Sequence, residues 1–261
     1  MRIITASFLL LIAGAAYASQ PLETETARLL PAGVFKIELT GEYQKSGAGT
    51  ERAVPLVLEY GLAPRTEIAV EPVFATSIRP KVGRVANGVG DLEITITHLL
   101  RPEAESLPAF ALAGEVKIPT AKNRQIGTGK TDLTAWGIVS QRFGRVDVHG
   151  NLGYTIVGQP AGTRLKNVIS FAVASELHVS SRFDVVGELI GNTSSTGDNA
   201  EGTSGSGATV ISSEAPSGET SAMAGVRWHL SPDVIVSMGL SYDNNHALLF
   251  RPGVTWRFGG R

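Results

Sequence analysis

The sequence has no cysteine among its 261 residues, so neither a disulfide framework nor a thiolate metal site can hold the fold together. An excess of one charge is missing too: 23 Lys and Arg stand against 24 Asp and Glu, a formal net charge of −1. That balance supplies no basic footprint, and nucleic acid is excluded as a partner. Beyond the N-terminal leader no apolar run reaches the roughly 18 residues that a membrane-spanning helix needs. Any membrane role must therefore be carried by strands.

Residues 1–18 read as a cleavable signal peptide. Arg2 gives a positive end, an apolar stretch runs from Phe8 to Ala16, and Ala16-Tyr17-Ala18 is a small-x-small cleavage site. The apolar part is too short for an anchor, and Ser19-Gln20-Pro21 breaks any helix behind it. Residues 19–261 show no break in composition and read as a single domain. Its first part, 19–32, is expected to be a periplasmic N-terminal segment.

From residue 35 onward the chain alternates. Phe35, Ile37, Leu39 and Tyr43 share one face of a two-residue period, and Lys36, Glu38, Thr40 and Glu42 share the other. Val54, Leu56, Leu58 and Tyr60 oppose Glu51, Ala53, Val57 and Glu59, and Ile68, Val70 and Phe74 oppose Glu67, Ala69, Glu71 and Ala75. Farther on, Leu92, Ile94 and Ile96 oppose Asp91, Glu93 and Thr95, while Phe110, Leu112 and Val116 oppose Ala111, Ala113, Glu115 and Lys117. The segment at 131–143 is ambiguous, with Leu133 and Val139 on one face and Trp136 and Ile138 on the other.

About twelve such segments follow one another, joined alternately by tight turns and longer polar loops. This pattern predicts an all-β transmembrane up-and-down antiparallel β-barrel with short periplasmic turns and long extracellular loops. An even number of strands leaves both chain ends on the periplasmic side. The Ser-, Gly- and Thr-rich stretch 192–219 reads as a long flexible extracellular loop. Tyr43, Tyr60, Phe74, Trp228, Trp256 and Phe258 fall near segment ends, as aromatic girdles do. A soluble sandwich or lipocalin-like barrel would alternate as well. It would need an apolar core for some twelve strands, and neither the regular long-short loop order nor the small, polar second face suits it.

Several motifs, in order, resemble the meta-pathway phenol-degradation family of bacterial outer-membrane proteins. They are Pro21-Leu22-Glu23-Thr24-Glu25 with Leu30-Pro31-Ala32-Gly33, then Gly88-Val89-Gly90-Asp91-Leu92, then Ala111 to Thr120. Gly127 to Asp132, Asn151-Leu152-Gly153-Tyr154 and Leu230-Ser231-Pro232 extend the resemblance over nearly the whole mature chain. It implies a twelve-stranded barrel that passes small, often aromatic or hydrophobic, compounds across the outer membrane. Gly259-Gly260-Arg261 departs from the usual ending of such barrels on an aromatic residue.

Candidate chemistry is sparse. Gly127-Thr128-Gly129-Lys130-Thr131 mimics the end of a phosphate loop, but Arg124 stands where the first glycine belongs and a strand follows instead of a helix. His178-Val179-Ser180 has the spacing of a barrel hydrolase pair, yet sits at an expected periplasmic turn with no clear Asn to orient the imidazole. The five histidines lie on separate segments without local metal-ligand spacing. No enzyme activity and no cofactor is expected.

Function should lie on the inward face. Its expected lining is Lys36, Glu38, Glu42, Glu59, Glu67, Glu71, Asp91, Glu93, Glu115 and Lys117 from the early strands, with Arg251 and Arg257 from the last. Ring closure is expected to bring late basic residues, Arg142 and Arg227 included, against early acids. Such charges either form paired ladders that fill the lumen or line a water-filled constriction, and inward Ala111, Ala113, Ala172 and Ala174 favour some open volume. The expected role is passive passage of a small-molecule solute. The expected partners are outer-membrane lipid and, during biogenesis, the barrel assembly machinery. A non-transporting barrel with interacting surface loops is the alternative, and a hydrolase is a third.

Overall fold

The computed structural model describes residues 20–162, 164–195 and 218–259. The leader 1–18, most of the 192–219 loop and the last two residues lie outside the described residues. Fourteen strands are present: β1 (Phe35–Thr40), β2 (Glu42–Lys45), β3 (Gly49–Ala63), β4 (Thr66–Pro80), β5 (Ala86–Gly88), β6 (Leu92–Arg101) and β7 (Ala109–Ile118). The rest are β8 (Asp132–Phe143), β9 (Val146–Ile156), β10 (Val168–Ser180), β11 (Phe183–Asn192), β12 (Thr220–Ser231), β13 (Val234–Asp243) and β14 (Leu248–Phe258). No helix occurs among the described residues.

These resolve into twelve staves. β1 and β2 form one stave interrupted at Gly41, whose N–H donates to the carbonyl of Pro252, and both pair with β3 and β14. β5 is a short strand in the loop after β4, paired only with that strand's end. Every other stave is antiparallel to its sequence neighbours, and the ring closes from Phe35↔Phe258 to Thr40↔Gly253. Closure leaves no stave without a partner on either side, which is the condition for strands to cross hydrocarbon.

The side chains are distributed inside out relative to a water-soluble protein. Leu152 and Ile156 are 61% and 55% exposed on the outer surface, whereas Lys117 and Arg227 are each only 2% exposed within. This distribution excludes the lipocalin-like alternative, whose apolar face would be the buried one. On β8 it also settles the ambiguous segment: Leu133 and Val139 point out, Ile138 is fully buried and Trp136 is half-buried on the inside. Of the expected girdle aromatics, Tyr43, Tyr60, Phe74, Trp228 and Phe258 are exposed on the outside, with Trp256 half-buried. Short turns such as Gly144-Arg145, where Gly144 takes a φ of 62°, form one rim.

The largest departure from expectation concerns residues 20–32. Instead of lying outside the barrel in the periplasm, this segment is a strap running around the inner wall. Its Gln20 and Pro21 carbonyls accept from Arg227 Nε at 2.9 Å and Arg251 Nη1 at 3.0 Å. The Glu23 N–H donates to Glu188, the Glu25 N–H to Asn151, the Ala27 N–H to Ser140 and the Leu30 N–H to Glu67. The strap then meets the wall at Gly61, where a Cβ would lie 2.0 Å from the Pro31 oxygen. An extended segment inside a barrel must give its backbone polar groups to side chains, because the wall's own backbone is already paired.

Candidate functional site: the barrel lumen

The inner wall is held by ion pairs, several of them between cross-strand register partners. Lys36 Nζ lies 3.1 Å from Glu38 and 2.7 Å from Glu59, its register partner on β3. Lys117 Nζ lies 2.8 Å from Asp132, its partner on β8, and 3.7 Å from Asp91. Arg227 reaches Glu176 at 2.7 Å, and Arg142 holds Asp147 with two hydrogen bonds. Each buried cation is thus matched by carboxylates, the arrangement a charge needs when water is excluded.

Of the late basic residues expected to meet early acids across the closure, only Arg251 does so, lying 3.2 Å from Glu42 and also pairing with Glu23. Arg142 finds its acid Asp147 on the next stave, Arg227 reaches over β11 to Glu176 on β10, and Arg257 sits at the short-turn rim, 3.9 Å from Asp233. Pairing is decided by which acid a side chain can reach within one or two staves, so the global acid-early, base-late order does not set it.

Above the strap is a cavity of about 280 Å³. Its floor is Gln20 and Leu22 to Glu25, and it extends toward the long-loop end, where Glu219 and Asp243 line it. Of the expected lining, Glu38, Glu42, Glu59, Glu67, Glu71, Glu93, Glu115 and Arg251 border this cavity. Lys36 and Lys117 are buried among their carboxylates, Asp91 holds the Ala121 N–H just before β6, and Arg257 lies at the rim. Ala111 and Ala113 do make room, but much of it is taken by the strap: Ala27 packs with them and Ile138, and Leu22 packs with Ala174, Val186 and Met223.

Strand parity left the face of Trp136 open; in the lumen its indole Nε1 donates to Glu115 at 2.9 Å. Parity did not point to Asn151, Ser140 and Glu188, which take the strap's backbone. A polar segment rich in Thr and Glu directly before the first strand was the available clue. Strand parity says nothing about what fills a lumen.

At the short-turn end His178 lies between two aspartates, with Nε2 at 2.8 Å from Asp147 and Nδ1 at 2.9 Å from Asp184. Asp184 also meets His229 at 2.6 Å. Both imidazole nitrogens of His178 are therefore engaged by carboxylates, and Ser180 is instead bonded to the Arg182 N–H in its turn. The His178-Val179-Ser180 spacing does not produce a nucleophile and base pair. Asp147, Glu176 and His178 have ligand atoms within 4.8 Å of one another, but Arg28, Arg142 and Arg227 already occupy the cation positions around them.

Residues 18–247 match the family model described as "Putative MetA-pathway of phenol degradation". No curated protein sequence matches significantly. Among solved structures, the COG4313 outer membrane channel from Pseudomonas putida F1 superposes with a TM-score of 0.66 at 12% identity, over 92% of this chain and 100% of that one. The KdgM porin, solved in complex with disordered oligogalacturonate, gives 0.57 at 8% identity, over 86% and 99%. The NanC porin gives 0.56 at 10% identity, over 84% and 98%.

Proposed function

Because the chain belongs to the MetA-pathway phenol-degradation family and folds as a closed twelve-stranded barrel, we propose that it is a passive outer-membrane channel for small organic compounds. The observation that carries this reading is the cavity of about 280 Å³ inside the barrel, floored by the strap. A space of this kind, walled by carboxylates interleaved with apolar side chains such as Val57, Ile138 and Phe171 and floored by the strap, suits a solute-sized passage better than a wide aqueous pore. Solute enters from the long-loop end, loses part of its water among the inward side chains, and passes where the strap yields.

The same reading assigns the remaining roles. The leader directs export and is cleaved, outer-membrane lipid covers the apolar exterior, and the assembly machinery inserts the barrel. Catalysis has no place in it, since His178 is held by two aspartates. Refolded mature protein in planar bilayers should give small discrete conductance steps, and proteoliposomes should swell in solutes of phenol size. Silence in both assays would refute the channel and favour a non-transporting barrel.

A further inference from the structure

The cavity's charge is one-sided. Among the described ionisable side chains lining it, eleven are Glu or Asp and Arg251 is the sole base. Some of these acids are spoken for: Lys36 holds Glu38 and Glu59, Arg251 holds Glu23 and Glu42, and Glu67 accepts the Leu30 N–H. Glu71 and Glu93 are different. They stand directly opposite each other on β4 and β6, both border the cavity, and neither has a hydrogen bond or an ion pair among the described residues. Like charges in directly opposed positions destabilise a sheet. Lys117, the register partner of Glu93 on β7, is engaged with Asp132 and Asp91.

A second observation lies across the cavity. Ser170 on β10 is only 8% exposed, lines the same space, and its Oγ has no hydrogen-bond partner. A buried hydroxyl left unpaired on one wall and two unpaired carboxylates on the other are complementary to a solute that is cationic at one end and polar at the other. The same cavity is lined by Val57, Ala69, Ile138 and the indole of Trp136. Trp136 is turned by its bond to Glu115, so ring and carboxylate are presented side by side.

The geometry also bears on the kind of cation. Among the described residues only Asp147, Glu176 and His178 bring ligand atoms within 4.8 Å of one another; Glu71, Glu93 and Glu115 do not converge to that degree. A compact metal ion needs oxygens on all sides at about 2 to 2.6 Å. An organic ammonium distributes its N–H donors over carboxylates farther apart, and its carbon body can lie against an aromatic face. We infer that Glu71 and Glu93, with Trp136, form a binding site for small organic ammonium solutes inside the lumen. The inference rests on the channel reading and narrows its solute class to amines over acids.

The test uses the refolded mature chain and three probes of one shape: benzylammonium, benzyl alcohol and benzoate. In planar bilayers under a KCl gradient, the reversal potential should indicate cation preference. Benzylammonium should reduce the current at a concentration about tenfold below that of benzyl alcohol. The Glu71→Gln/Glu93→Gln variant should lose that difference while still shifting on gels when heated. Binding is read separately in detergent from Trp136 fluorescence, with Trp228→Phe and Trp256→Phe leaving Trp136 as the sole tryptophan. If no current flows but benzylammonium still binds about tenfold tighter than the alcohol, the channel reading fails and the site stands. Equal binding of amine and alcohol, or a preference undiminished in the double variant, overturns the site whatever the conductance.

Discussion

Arg251, on the last stave of the barrel, donates from Nη1 to the backbone carbonyl of Pro21 in the strap at 3.0 Å. The same guanidinium lies 3.2 Å from Glu42 on the first stave and pairs with Glu23 on the strap. One side chain therefore joins ring closure to the segment that narrows the lumen. Deleting residues 20–30 should leave the staves paired and raise single-channel conductance several-fold. Arg251→Ala should give intermediate, flickering openings, because the strap loses one anchor and keeps Glu188, Asn151 and Ser140. Unchanged step sizes in the deletion would show that the strap does not limit flow.

The Lys36 cluster should be the most sensitive electrostatic point of the wall. Lys36 is 4% exposed and lies within 3.1 Å of two carboxylates that are themselves buried. Lys36→Ala strands both charges, a change that costs about 3 kcal/mol in comparable buried pairs. The expected readout is a lower urea midpoint for loss of the heat-modifiable folded band. In a background with Glu38→Gln and Glu59→Gln the same substitution should cost much less, since no uncompensated charge remains.

The alternation of Phe35, Lys36, Ile37 and Glu38 made the wall legible, because in a barrel parity alone decides whether a side chain meets lipid or lumen. On β8 parity was insufficient: Ile138 and Trp136 are apolar yet point inward, since Ala27 of the strap turns part of the lumen into an apolar contact. The strap itself could not be read. Its partners lie from 37 to 230 residues away along the chain, on different staves, so it has no period of its own. Small residues such as Ala111 fitted open space and occupied space equally well. The pairing of Arg142 with Asp147 depends on stave register and that of Arg227 with Glu176 on reach over a stave, neither of which residue type reveals.

Gly153 on β9 faces Trp136 on β8, and a Cβ built there would lie 2.4 Å from the ring. The absent side chain lets the indole lie flat on the wall and reach Glu115. Gly153→Ala should push the ring off the wall, break that hydrogen bond and cost about 1 to 3 kcal/mol, with a shift of the tryptophan emission. Gly114→Ala, where nothing lies within 4 Å of the new Cβ, should change neither stability nor emission.

Phe258 is the last residue of β14; it pairs in register with Phe35 at the start of β1, their ring centroids 6.4 Å apart. It is also 51% exposed on the outer surface, where the proposed reading has it anchor the rim in lipid and meet the assembly machinery. Gly259 leaves the stave with a φ of 87°, and the closing ladder starts at Phe258. Removing Gly259-Gly260-Arg261 should therefore leave the yield of folded barrel in cell envelopes unchanged. Phe258→Ala should lower it, through weaker recognition during assembly and loss of the aromatic contact that starts the closing pair. Refolding of the same variant into detergent separates the two causes: recovery of the wild-type folded fraction there assigns the loss to recognition, and a matching loss assigns it to closure. Equal envelope yields for the wild type and Phe258→Ala would remove Phe258 from both roles.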